Sequence, residues 1–301
     1  MNPLILGIVL CILSQILFSS LFLFSYAMQP LSGSVIFALR IVVTMCSLWL
    51  LLYFNPQKQS IKHFILHTLG NSILRWSTVL IGTCILASQL WLFMWAPING
   101  EGLNVAMGYF LFPLAMVFAG KILWQEKLTT LQLLALILAI CGILNELYRT
   151  HAFSWTTLWV VLLYPPYYLS RRILKVPALL GLTFDLTLIA PFALYFLLPQ
   201  QDVWHTISHQ PRYWLLLPLL GIVSALSMSF NVRSSTLLPM KLFGLLSYIE
   251  PTLLFILSIT ILNTAMPSAA YITYGFIWSA LCVLAINGFI TPTRIKLKSI
   301  Q

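Results

Sequence analysis

Apolar and polar positions alternate along this chain on the scale of whole helices. Ten runs are almost continuously apolar, at about residues 4–26, 33–54, 76–97, 104–124, 130–148, 153–170, 178–199, 213–236, 242–262 and 270–291. Each is close to the ~20 residues that a helix needs to cross ~30 Å of hydrocarbon. The pattern predicts an all-α integral membrane protein with ten transmembrane helices. Connections are short except at 55–75 and 200–212, so no stretch is left for a water-soluble domain and function must reside in the bundle. In the first long connection Ile61, Phe64, Ile65 and Leu69 recur at helical spacing, with Lys58, Lys62, His63 and His67 on other faces. That spacing predicts a short helix lying in the membrane interface as an anchor.

Composition agrees. With 60% hydrophobic and 7% charged residues, a soluble globule would have nowhere to place its apolar surface. The few basic residues are unevenly placed. Alternate connections hold Lys58, Lys62 and Arg75, then Lys121 and Lys127, then Arg171, Arg172 and Lys175, then Arg233 and Lys241, then Arg294, Lys296 and Lys298. The other side holds Arg149 and Arg212, and Arg40 falls within a run. The positive-inside rule therefore puts both termini in the cytoplasm. The net charge of +10 is spread over these connections with no basic stripe or nucleic-acid motif, so the partner it points to is the lipid bilayer. The first run lacks a basic n-region and is longer than a signal-peptide core, which predicts an uncleaved first span. Cys11, Cys46, Cys84, Cys141 and Cys282 all fall within spans with no C-x-x-C spacing and read as packing residues.

Dividing the chain near residue 150 gives five spans per half, 1–150 and 151–293, followed by a short basic tail at 294–301. An odd number of spans makes the second half enter the membrane with the opposite orientation, so related halves form an inverted repeat. Pro113 and Pro251 each stand nine residues into the fourth span of their half. A proline inside a helix removes a backbone hydrogen bond and bends it. The pair reads either as two static kinks or as two hinges at equivalent depth.

Ionisable groups inside the membrane are costly and face partners or water. Arg40 and Asp185 hold mirrored positions in the second spans of the two halves, Glu250 directly precedes Pro251, and Arg233 lies near the inner end of span eight. Short connections make Arg233 and Glu250 the expected ion pair, with snorkelling to the headgroups as the alternative for Arg233. Asp185 has no obvious cationic neighbour in the sequence, which makes it the candidate to bind a cationic group or a proton. Among the aromatics, Trp91, Tyr109 and Tyr248 lie deeper than an interfacial belt, and Tyr164, Tyr167 and Tyr168 share span six. His63 with His67 and His205 with His209 lack the Glu of H-E-x-x-H and lie in connections, and Gly120-Lys121 is no P-loop, so neither a metal nor a nucleotide cofactor is expected.

The order of Trp91-Leu92-Phe93-Met94-Trp95-Ala96-Pro97, Gly108 to Leu114 around Pro113, Glu126-Lys127-Leu128 and Leu131 to Gly142 resembles the RarD branch of the EamA, or drug/metabolite transporter, superfamily. The second half continues the resemblance with Tyr167, Arg171 and Arg172, Asp185 with Pro191, Phe243-Gly244, Tyr248 to Phe255, and Phe276 to Trp278. It implies a ten-helix inverted-repeat transporter of the bacterial inner membrane. The chain departs from that pattern in Phe18-Ser19 for a Trp-Gly pair, Phe112 for an Asn, Asn104 and Thr264 for acids, and Glu250 and Arg233 for small residues. These departures lie around the expected cavity, so the family's chloramphenicol-related name does not transfer as a substrate.

The reading that joins these signals is a secondary transporter, an exporter of a small metabolite or drug-like solute by alternating access, with the coupling ion left open and protons one option. Asp185, Arg40, Glu250, Arg233, Trp91, Tyr109, Tyr248 and Tyr167 are its candidate substrate or proton contacts, and Pro113 and Pro251 its hinges. A non-transporting sensor or accessory subunit is the second reading. An intramembrane enzyme would need a nucleophile with its base, paired acids or a metal cluster, none of which the sequence assembles.

Overall fold

A computed structural model describes residues 3–54, 64–124, 129–150, 154–238, 243, 246–261 and 270–290. Backbone N–H and C=O groups cannot be left unpaired in hydrocarbon, and a helix satisfies them within one segment. The apolar runs accordingly become α1 (Pro3–Ala27), α2 (Gly33–Tyr53), α3 (Ile73–Trp95), α4 (Gly102–Trp124), α5 (Thr130–Thr150), α6 (Trp155–Ile173) and α7 (Ala178–Leu197). A short helix α8 (Gln201–His209) precedes α9 (Arg212–Leu237), α10 (Ile249–Thr260) and α11 (Ala270–Ile290). No strand occurs among the described residues. Helices α1, α2, α3, α7 and α9 are long and apolar enough to cross a membrane. Ser32 and Ser72 start α2 and α3 by accepting hydrogen bonds from the backbone of Val35 and Arg75.

Helix α1 packs on α9 and α10, α2 on α7 and α9, α3 on α6, α4 on α6 and α10, and α5 on α11. The main core lies among α1, α2, α3, α6, α7 and α9, and a second cluster joins Phe110 and Leu114 of α4 to Ala139 of α5 and Ile277 of α11. Leu50, Ile73, Phe192, Tyr195 and Leu215 point outward. In lipid such outward groups cost nothing, and close packing of backbones carries the association instead.

Gly221 makes one such approach. A Cβ there would stand 2.7 Å from the Val43 carbonyl oxygen on α2, whereas one at Gly275 meets nothing within 4 Å. Gly221→Val is therefore expected to cost about 1–3 kcal/mol and lower the melting temperature in detergent, with Gly275→Ala unchanged. Equal melting of the two variants would show that α2 and α9 do not pack through this glycine.

Two expectations gain detail at this level. The first long connection was expected to lie on the membrane surface. Its described part forms a π-helical turn at Phe64–Leu69, and Phe64 and Leu69 are buried against Val79, Trp76, Leu180 and Phe184. The turn is thus tied to α3 and α7 through apolar contacts, while Lys58, Ile61, Lys62 and His63 lie outside the described residues. The second concerns the equal roles of the two prolines. Pro113 falls within continuous α4, its side chain lying outside the described residues. Pro251 stands in the first turn of α10, after a turn at Ser247 and Tyr248. A proline lacks an N–H and clashes with the preceding turn, and both conditions are met without strain where a helix begins. Pro251 thus lies at the start of a helix, whereas Pro113 lies within one.

Candidate functional site

Helices α1, α2, α3, α4, α6, α9 and α10 enclose one cavity of about 40 Å³, lined among others by Gln15, Arg40, Tyr109, Tyr164, Asn231 and Glu250. That space holds about three water molecules at ~10–15 Å³ each. Half of its lining residues are aromatic, with Phe93, Phe112 and Tyr168 beside Tyr109 and Tyr164. The Tyr109 ring meets Phe93 edge-on at 5.9 Å, and the Tyr164 ring stacks on Tyr168 at 5.4 Å. The break before α10 brings Ser247, Glu250 and Pro251 to the cavity wall together.

Arg40 is 2% exposed. Its Nε donates to Ser224 Oγ on α9 at 3.0 Å, its guanidinium stands 5.7 Å from the centre of the Phe93 ring, and its buried Nη1 has no partner. Glu250 lines the same cavity from α10 as Arg40 does from α2. No ion pair joins the two within 4.0 Å among the described residues. Opposite charges sharing a water-poor space stabilise one another, since either alone would be an uncompensated buried ion.

The expected Arg233–Glu250 pair is not formed. Arg233 is exposed, two residues after the cavity-lining Asn231 and so on a different side of α9, where its long stem reaches the surface. The cation that faces Glu250 comes from α2 instead. Asp185, expected to be without a cationic partner, is bound by Arg171, with Thr83 Oγ1 donating at 2.6 Å and Tyr167 Oη at 3.4 Å. The short α6–α7 connection returns the chain so that two residues 14 apart in sequence meet, and the Arg171 guanidinium also stands 5.3 Å from the Tyr167 ring centre. Asp185 is fully buried in this three-helix knot and does not line the cavity.

Of the candidate contacts and hinges named from the sequence, the cavity thus collects Arg40, Tyr109, Glu250 and Pro251, and Phe18, Phe112, Tyr164 and Tyr168, also picked out there, line it too. Tyr167 stays with Asp185. Trp91 donates to Ser34 Oγ at 3.0 Å and stacks on Trp95 and Trp155, beside an apolar cleft of about 780 Å³ between α2, α3 and α7. Tyr248 is buried in the second cluster among Phe110, Leu114 and Ile277. On α8, His205 and His209 stack with ring centres 3.9 Å apart, and His209 Nδ1 turns to the His205 carbonyl.

Sequence reading missed Gln15, a lone amide in the middle of the first apolar run, flanked by Ser14 and Ser19. It also placed Arg171 in a basic connection and in the family pattern without pairing it with Asp185. Glu101, in the α3–α4 turn, went unremarked. One of its oxygens accepts from Asn104, Ser154 and Thr156 at 2.8, 2.9 and 3.0 Å, tying the start of α6 to that of α4.

The chain is 47% identical over 290 residues to an uncharacterized transporter of Haemophilus influenzae, covering 96% of this chain and 97% of the relative. It is 37% identical over 292 residues to the chloramphenicol-sensitive protein RarD of Pseudomonas aeruginosa, covering 91% and 92%. Protein RarD of Escherichia coli is 31% identical over 222 residues, covering 72% and 73%. One solved crystal structure superposes with a TM-score of 0.58 at 15% identity, covering 94% of this chain and 98% of its own, a likeness of fold. No protein-family model matches the chain.

Proposed function

The chain belongs to the RarD-like family of transporters and is a multi-pass membrane protein, and from that premise we propose that it exports a small metabolite or drug-like solute across a bacterial inner membrane by alternating access. The observation that carries this reading is the small, charge-bearing cavity between helices of both halves, with Arg40 from the first half and Glu250 from the second. At about 40 Å³ it is too small for such a solute, which fits an occluded stage of the cycle.

A ten-helix inverted repeat with both termini cytoplasmic is part of the same proposal, and the helix contacts support it. Exchanging the halves turns the α1–α9 contact into α6–α3, α1–α10 into α6–α4, α2–α9 into α7–α3, and α2–α3 into α7–α9, all of which occur. The contacts α2–α7, α4–α10 and α5–α11 map onto themselves. In this reading Glu250 replaces Asp185 as the proton-carrying group, because Asp185 is occupied by Arg171 and Glu250 faces open space.

The test is flux in proteoliposomes, using solutes that accumulate in cells lacking the protein together with chloramphenicol, named in the Pseudomonas relative. Wild-type protein is expected to give saturable efflux stimulated by an imposed pH gradient. Glu250→Gln is expected to slow it at least about 10-fold and to abolish the response to the gradient. No flux above protein-free vesicles for the whole panel would favour a sensor or accessory subunit. Gradient-stimulated flux surviving in Glu250→Gln would remove Glu250 from coupling.

A further inference from the structure

We propose that the central cavity selects an aromatic zwitterion, its primary ammonium held by Glu250, Asn231 and Gln15 and its carboxylate by Arg40; this rests on the transport reading of the same cavity. Several observations converge on it. The Asn231 Oδ1 and Gln15 Oε1 atoms are buried acceptors without a hydrogen-bond donor. Gln15 Nε2 is directed at Cys11 Sγ, 3.8 Å away, which leaves Oε1 as the free end of the amide. The Glu250 carboxylate also accepts no hydrogen bond among the described residues. Three acceptors around one cavity match the three N–H donors of a primary ammonium.

On the other side, Arg40 spends Nε on Ser224 and leaves Nη1 buried and unpaired, a donor ready for a carboxylate oxygen. The two charges do not collapse onto each other, although contact in a low-dielectric space would be favourable. A ligand bearing both signs would bridge them. Charge balance points the same way: Arg40 and Glu250 already sum to zero, so a zwitterion adds no net charge, whereas a simple cation or anion leaves one unit uncompensated. Phe93, Phe112 and Tyr164 add aromatic rings to the wall, suited to a planar apolar body. An ammonium head takes about the room of one water, and the rings must part to admit the body.

The experiment titrates wild-type protein in lipid nanodiscs with three probes that share a phenyl group: phenylalanine, phenethylamine and 3-phenylpropionate. Binding is read from melting temperature and tryptophan fluorescence. Phenylalanine is expected to bind about 10- to 100-fold tighter than either single-charge probe. Glu250→Gln is expected to erase its advantage over 3-phenylpropionate, and Arg40→Lys to shrink its advantage over phenethylamine. Phenethylamine binding as tightly as phenylalanine would make this a plain cation site, and no binding of any probe to folded wild-type protein would overturn the proposal. The two readings fail separately. Binding as described without phenylalanine flux in proteoliposomes sinks transport alone, while Glu250-dependent flux of an uncharged solute without probe binding sinks the zwitterion alone.

Discussion

Asp185→Ala is expected to destabilise the folded protein by about 3–5 kcal/mol, because it leaves the Arg171 guanidinium buried without a counter-charge. Arg171 is 12% exposed and Asp185 is fully buried, so water does little to replace the lost carboxylate. Its Nε and Nη1 already lack partners, and Thr83 and Tyr167 would lose their shared acceptor as well. Removing both charges with Arg171→Met and Asp185→Leu is expected to recover most of the loss, since the cost lies in the orphaned ion more than in the missing pair. Unfolding in mixed micelles measures both. A loss below about 1 kcal/mol for Asp185→Ala would mean that the knot between α3, α6 and α7 is hydrated and holds little.

The second large effect falls on function. Arg40→Ala is expected to lower kcat/KM for the transported solute about 100-fold, as the cavity loses its cation and Glu250 is left alone in a water-poor space. Arg40→Lys is expected to fall between, at about 10-fold. An ammonium keeps the charge, but it cannot reach Ser224 and the cavity at once as the guanidinium fork does. Wild-type flux from folded Arg40→Ala protein would show that Arg40 serves packing alone. Melting temperature of the same preparations separates loss of transport from loss of fold.

These two residues also show where sequence reading stopped. Both were legible as anomalies, since a charge within a run of ~20 apolar residues announces itself through its desolvation cost. Their partners were not. Arg40 and Asp185 hold equivalent places in their halves, which invites equal roles. Yet Arg40 turns to Ser224, 184 residues away, and into the cavity, while Asp185 turns to Arg171, only 14 residues before it. A one-dimensional pattern records that a helix carries a charge at a given height, and the rotation of that helix about its own axis decides which neighbour the charge meets. The Arg233–Glu250 expectation failed for the same reason, because adjacency along the chain placed both on joined spans whose facing sides differ. Pro251 illustrates a third limit: the apolar run from 242 to 262 is unbroken in hydropathy, but the backbone turns at Ser247 and Tyr248 before the proline.

The sequence by itself determined the all-helical membrane class, the expected positions of the long helices, and the resemblance that the relatives bear out, because apolar length and composition act locally and survive any rearrangement of neighbours. Only the tertiary structure decided which buried charges meet. It set Arg171 against Asp185 and left Arg40 and Glu250 facing one aromatic cavity, since helix packing in lipid turns on close fits such as Gly221 against Val43 that no hydropathy pattern encodes.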